Sequence, residues 1–315
     1  MTPARAGTTD RIKAGGISVE LSRTDKVFFP DDGITKGDLI GYYADVAARM
    51  LPYLRDRPLA LARYPDGITG QRIFQKNVGE HFPDWVDRFE VGKQGGTVCH
   101  AIAGKPATLV YLANQACVEL HTFLSRTGSL ECPDQLVVDF DPPDADHFGD
   151  ACEAALLLRD LLESDLGLTT FVKTTGGKGL HVHVPLDGRG DFDEVRAFSR
   201  SAVSLLADGH PDLITTEQRR DKRGSRVYAD IMRNAYAQTV VAPYSVRARP
   251  GAPVAVPLHW SEVRDRDLSP GSFTLHTVPG RLERLSGADD PWAGLTRRHY
   301  GLARPSERLA RRGTR

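Results

Sequence analysis

The sequence predicts an α+β fold: a mixed sheet with helices packed on one face, not a doubly wound arrangement. Two observations carry this. From Asp134 onward strand-like and helix-like segments alternate, but without the regular spacing of β-α-β units. Upstream, Pro58–Leu112 holds short β-like runs cut by Gly and Pro, as at Gly92–Gly96 and Gly104–Pro106.

Taken in order, residues 1–16 are polar and lack an apolar core, so they read as a disordered start and not as a signal peptide. Ile17–Phe29 reads as a strand and turn. Asp38–Leu54 reads as an amphipathic helix, because Leu39, Tyr43, Val46, Met50 and Leu54 recur every three or four residues. Ala113–Leu124 is assigned as helix. Leu136–Asp141 is a short buried strand, followed by a helix near Asp146–Asp165 that Gly167 stops. Strands Thr169–Thr174 and Leu180–Leu186 flank T-G-G-K. A helix near Phe192–Ala207 and a strand around Arg226–Met232 follow, separated by a basic segment.

The chain's 315 residues suffice for one large domain or two closely packed modules. With 40% hydrophobic and 26% charged residues it has ordinary globular composition. The formal net charge is zero, so bulk charge points to no polyanion partner. Local charge is uneven: Arg219, Arg220, Lys222, Arg223 and Arg226 crowd one segment, and Arg281 to Arg315 holds nine arginines. That tail reads as a solvated end able to favour DNA non-specifically. Cys99, Cys117, Cys132 and Cys152 form no C-x-x-C pair, which fits free thiols and a cytoplasmic setting. No apolar run approaches the roughly 20 residues of a membrane helix.

The chemistry concentrates in three places. Side chains on a strand alternate faces, so in L-V-V-D-F-D-P-P Asp139 and Asp141 share a face where Pro142 and Pro143 end the strand. Unpaired, the two carboxylates would repel, and a divalent metal between them is the economical answer; capping of the following helix is the plainer one. Asp230, in R-V-Y-A-D-I-M, is a third carboxylate. In K-T-T-G-G-K-G, Gly176, Gly177 and Gly179 permit positive φ and expose N–H groups, and Lys178 adds charge. This is an anion nest or a plain hairpin turn, and not a Walker A loop. His181 and His183 share a face of the next strand. No third nitrogen or sulfur ligand accompanies them, so they suit hydrogen bonding beside phosphates, with His183 a packed structural histidine. Cations at Arg223 and Arg247 beside a carboxylate cluster suit a triphosphate. Together these are the parts of two-metal nucleotidyl transfer.

D-F-D-P-P, K-T-T-G-G-K-G-L-H-V-H-V-P-L and V-A-P-Y-S-V-R-A-R-P-G-A-P-V-A-V-P-L, in that order, closely resemble the polymerase domain of bacterial ligase D, of the archaeo-eukaryotic primase superfamily. The likeness runs from about Leu21 to Tyr300. No ligase or nuclease module accompanies it here, so a stand-alone member is expected. The resemblance implies a primase-like fold: an RRM-like catalytic module over 131–300 and an amino-terminal α/β module over 17–130, forming one domain, with 301–315 an Arg-rich tail.

Carried over by residue, it implies that Asp139, Asp141 and Asp230 hold two divalent cations (manganese or magnesium). His121, Thr175, Lys178, Gly179, Arg223 and Arg247 would take the nucleotide. Lys26, Lys36 and Arg63 would take a 5′-phosphate at a DNA gap or break, and Phe74 would stack on a template base. The implied activity is primer extension and short-gap filling with ribo- or deoxyribonucleotides, ribonucleotides preferred, in end joining or gap repair. The implied partners are gapped or broken DNA, nucleoside triphosphates, a separate ligase and end-binding proteins, with no membrane. De novo priming and a non-catalytic, ligase-recruiting scaffold are the alternatives; a D-x-D glycosyltransferase is a third, which the third aspartate and the glycine-lysine loop disfavour. The chain departs from the family pattern at Ile73, at Ala62, at Arg23 in place of asparagine, and at Thr122–Phe123 after His121. These departures touch the DNA-end site and leave the catalytic motifs intact.

Overall fold

The computed structural model describes residues 10–285 and 289–312. The chain opens with two ribbons, β1 (Arg11–Ala14) with β2 (Ile17–Glu20) and β3 (Val27–Phe29) with β4 (Ile34–Thr35). Helix α1 (Lys36–Leu54), β5 (Leu59–Arg63), β6 (Ile73–Gln75) and the hairpin β7 (Asp87–Lys93)–β8 (Gly96–Ile102) follow. Next come α2 (Pro106–Asn114), β9 (Cys117–Phe123), β10 (Gln135–Asp141) and α3 (Phe148–Asp160), which runs into a π turn at Leu161–Asp165. Then follow β11 (Phe171–Thr174), β12 (Leu180–Pro185), α4 (Phe192–Gly209), β13 (Ile214–Thr215), β14 (Val227–Asp230) and β15 (Thr239–Val241). The chain finishes with β16 (Pro257–Leu258), α5 (Trp260–Val263), α6 (Val278–Arg284) and α7 (Ala303–Arg312).

Two sheets organise the molecule. One has six strands in the order β13-β14-β10-β12-β11-β16, antiparallel except for β13 with β14; the other has four, β15-β9-β5-β6. Alternation on β10 sends Leu136, Val138 and Phe140 into the main core with α3, while Val137, on the opposite face, packs with Leu124, Phe192 and Val240. The face of β10 that carries the aspartates therefore looks toward the four-stranded sheet. This is the α+β, helix-backed arrangement expected, with antiparallel pairing throughout the central strands.

Helix α1 begins two residues earlier than its apolar pattern, because Thr35 and Asp38 form a capping box: Asp38 N donates to Thr35 Oγ1 at 3.2 Å and Thr35 N to Asp38 Oδ2 at 2.8 Å. The five periodic residues from Leu39 to Leu54 are all buried.

Three expectations are corrected. Ala113–Leu124 is not a helix: α2 ends at Asn114, Ala116 turns through a positive φ of 64°, and Cys117–Phe123 is a strand. Paired on both edges and buried on both faces, β9 alternates apolar and polar only over residues 118–121, too short a run to stand out beside the helix that precedes it. Residues 11–16 are not a disordered start, since Arg11–Ala14 pairs with Ile17–Glu20; residues 1–9 lie outside the described residues. The arginine tail is not all solvated. Within α7, Leu309 is buried, Arg308 donates to Leu166 O at 3.4 Å and Arg312 meets Asp165 at 2.8 Å. Residues 313–315 lie outside the described residues.

The four cysteines are free, Cys117 and Cys152 buried and Cys99 and Cys132 half-buried. Among the described residues no helix is long and apolar enough to cross a membrane.

Candidate active site

The sheet register assembles the carboxylates. Asp139 sits opposite Asp230 on β14 and opposite His181 on β12. Buried Asn234 extends the β14 edge: its side chain accepts from Val137 N at 2.9 Å and donates to Val137 O at 2.6 Å. Nothing local in the sequence marks Asn234, because its partner lies 97 residues away.

Each aspartate is held differently. Asp139 Oδ2 lies 3.4 Å from His181 Nε2. Asp230 Oδ1 accepts from Met232 N at 2.7 Å. Asp141 is drawn to cations, 3.3 Å from Lys178 Nζ and 3.6 Å from Arg223 Nη1, and the Arg223 guanidinium stacks 3.7 Å from the Tyr228 ring centroid. Burial pushes Asp139 up to about 6, against the pull of Lys173, Arg233, Arg247 and Lys178. Burial also raises Asp230, and the neighbouring charge of Asp139 adds to it.

Among the described residues no three His, Cys, Asp or Glu side chains converge as a ready-made metal cage. Asp141 is turned to Lys178 and Arg223. The donor set still fits hard divalent ions. Three carboxylates project from neighbouring strand positions, and the cations around half-buried Asp139 do not offset its desolvation, which leaves a charge that a divalent ion would stabilise.

Lys173 was not anticipated. It lies fully buried in β11, opposite His181, with Nζ donating to Thr174 O at 3.4 Å. Burial and Arg247 hold it well below the ordinary lysine range, while Asp139 opposes them. His183 is the packed histidine expected, bonded to Gln135 at 3.0 Å and 4.9 Å from the Trp292 ring.

The glycine loop joins β11 to β12. Gly176 has φ of +63°, and a Cβ at Gly179 would lie 2.2 Å from Phe140 O, so only glycine fits there. The loop is pinned more tightly than an open nest. Thr175 Oγ1 accepts from Gly177 N at 3.2 Å and Gly179 N at 3.3 Å, which turns two of the expected anion donors inward. Lys178 leans on the Pro142 and Pro143 carbonyls beside Asp141.

Arg247 reaches this loop from the far side, donating to Thr175 O at 2.7 Å. Its Nε contacts Glu119 Oε1 at 3.2 Å, and Glu119 Oε2 lies 3.1 Å from His121 Nε2. Glu119 is buried. Burial would raise its carboxyl, but His121, Arg247 and Ala248 N outweigh it and hold it below the usual carboxylate range. The missed signal is period two: Glu119 stands two residues before His121 on one strand. Phe74 is 43% exposed, meets His121 edge-on at 5.7 Å and has the Arg72 guanidinium 5.0 Å from its ring centroid.

The amino-terminal cations are only partly gathered. Lys36, 5% exposed, donates to Ser22 Oγ at 3.2 Å, and burial followed by Arg23 and Lys26 pushes it down to about 8. Lys26 bonds Pro65 O at 2.6 Å and Asp66 at 2.9 Å. Arg63 is held separately, by Gln115 O at 2.7 Å and Gln75 Oε1 at 2.8 Å. Arg23 stands beside the lysines at φ of +49°, a conformation asparagine tolerates better than arginine.

Residues 35–292 match the family described as the LigD primase-polymerase domain. The Bifunctional non-homologous end joining protein LigD of Bacillus subtilis is 34% identical over 267 residues, 84% of this chain and 43% of that protein. The Multifunctional non-homologous end joining DNA repair protein LigD of Mycobacterium tuberculosis is 34% identical over 292 residues, 89% of this chain and 38% of that protein. The chain thus spans about two-fifths of the length of these curated relatives. Among solved structures, the polymerase domain of Mycobacterium tuberculosis ligase D in complex with DNA matches with a TM-score of 0.82 at 32% identity, covering 90% of this chain and 99% of that one. Sequence, fold and the order of the motifs agree: the chain belongs to the LigD primase-polymerase domain family, nucleotidyltransferases of the polymerase type.

Proposed function

We propose that this chain extends primers across short gaps at DNA breaks, using nucleoside triphosphates, as a polymerase of non-homologous end joining. The observation that carries the reading is the pairing of Asp139 with Asp230 across β10 and β14, with Asp141, Lys178 and Arg223 at the same strand end. DNA as the partner is supported by the solved relative, a polymerase domain in complex with DNA. Preference for ribonucleotides rests on the family resemblance.

Asp139, Asp141 and Asp230 would hold two divalent cations, manganese or magnesium, which when bound supply Lewis acidity at the primer hydroxyl and the leaving pyrophosphate. The chain's own groups do the rest. Lys178 and Arg223 spend their charge on Asp141 in the free protein, and a triphosphate competes for both. Arg247 contacts the same loop at Thr175 O, and His121 on β9 is joined to Arg247 through Glu119. Thr175 and Gly179 set the loop's shape, and the missing Cβ at Gly179 lets backbone approach the end of β10. Lys26 and Lys36, with Arg23 beside them, form the cation group for a 5′-phosphate, and Phe74 offers a ring to a template base. A ligase would then seal the product.

The test is extension of a primer on a duplex with a one- to few-nucleotide gap. Ribonucleotides are compared with deoxyribonucleotides, and a downstream 5′-phosphate with a 5′-hydroxyl. Templated addition that increases with the 5′-phosphate is expected. Addition indifferent to the phosphate would remove the break-end role, and phosphate-dependent DNA binding without any addition would leave a scaffold.

A further inference from the structure

We infer that Glu119 is a positioning residue that sets the geometry of the nucleotide pocket, a reading that rests on the proposed polymerase function. Its carboxylate is 6% exposed and accepts from groups that reach it along separate stretches of chain. Oε1 takes Arg247 Nε at 3.2 Å and Ala248 N at 3.0 Å, from the segment beyond β15. Oε2 takes His121 Nε2 at 3.1 Å, from β9 itself, and lies 4.0 Å from Arg72 Nη2, ahead of β6.

A carboxylate buried this far from water is costly unless its oxygens are satisfied, and here both are. The consequence lies in what its partners do next. The Arg247 guanidinium is a rigid planar fork. With Nε on Glu119 and Nη1 on Thr175 O at 2.7 Å, the fork is fixed between the two sheets, and Nη2 is left to meet a phosphate oxygen. Accepting from Nε2 also fixes the His121 ring, whose edge meets Phe74 at 5.7 Å; the Arg72 guanidinium lies 5.0 Å from the same Phe74 ring. One carboxylate thus orients groups on the nucleotide side and on the template side together.

A plain structural staple between β9 and residues 247–248 would show in stability. A positioning residue shows in nucleotide affinity. The experiment measures, for the wild-type chain, E119Q and E119D, the thermal midpoint, calorimetric binding of a non-hydrolysable ribonucleoside triphosphate with magnesium, and KM and kcat for gap filling. E119Q keeps the volume and removes the charge, so it raises the triphosphate Kd and KM about tenfold or more while saturated kcat stays within about threefold. E119D keeps the charge on a shorter arm and falls between the two. An E119Q chain that binds triphosphate like wild type overturns the inference alone. So does one whose kcat falls in step with its thermal midpoint while KM and the triphosphate Kd stay put. A wild-type chain that takes no triphosphate overturns the nucleotide reading, and this inference with it.

Discussion

Replacing Asp139 by Asn should make the metal-free protein more stable while destroying its activity. Asp139 stands between His181 and Asp230 with its carboxyl raised from 3.8 to about 6 by burial. A raised carboxyl means that ionisation opposes folding: the penalty is absent below about pH 4, grows as the pH climbs to about 6, and is complete above it. At about 1.36 kcal/mol for each tenfold change in proton affinity, the difference between 3.8 and about 6 amounts to roughly 3 kcal/mol at pH 7.5. Asparagine mimics the protonated acid, so D139N recovers up to that amount and also relieves Asp230, which Asp139 pushes upward. For a chain of this size about 2 °C per kcal/mol gives a rise of about 4–6 °C in Tm. The assay is thermal melting in EDTA at pH 7.5 and pH 5, where roughly half the gain should remain. Millimolar manganese should then raise the wild-type Tm and leave D139N unmoved, because an ion bound only by the native state stabilises it. An unchanged or lower Tm for D139N in EDTA would refute the claim that desolvation of half-buried Asp139 outweighs the cations around it.

Three further outcomes follow from particular contacts. Gly179→Ala places a methyl 2.2 Å from Phe140 O, so the loop must move; a loss on the order of 3 kcal/mol in denaturant melts, together with lost extension, is expected. Lys36, pushed down to about 8, loses its charge as the pH rises through that value, so preference for a 5′-phosphate in DNA-binding titrations should shrink between pH 7 and 9, and Lys36→Gln should abolish it throughout. Phe74→Ala removes an exposed ring and should weaken binding to gapped DNA by about 1–3 kcal/mol with no change in Tm.

What the sequence made legible was local. Alternation put Asp139 and Asp141 on one face and the prolines marked the strand's end, and both hold in three dimensions. The motif order identified the family. Non-local features stayed hidden. The register that sets Asp139 opposite Asp230 joins residues far apart in the chain, and Asn234 secures it from a similarly remote position. Glu119 and Lys173 are charged residues in apolar strands, where pattern reading expects core and not function. The misassigned β9 concealed Glu119 twice, since a helix would have put it off the face of His121. At Thr175 the motif was right in identity but different in detail: its hydroxyl closes the glycine loop on itself. Lys26 and Lys36 do come together, but Arg63 is tied to Gln75 and Gln115, a partnership that no spacing announces.

The most direct measurement is single-nucleotide addition to a primer at a 5′-phosphorylated gap, with and without manganese, by the wild-type chain and by Asp139→Ala and Asp230→Ala variants of confirmed fold. The account predicts templated addition that requires the divalent cation and vanishes in both variants. Addition that survives either substitution, or that proceeds equally in EDTA, would contradict the assignment of the paired aspartates on β10 and β14 as the catalytic centre.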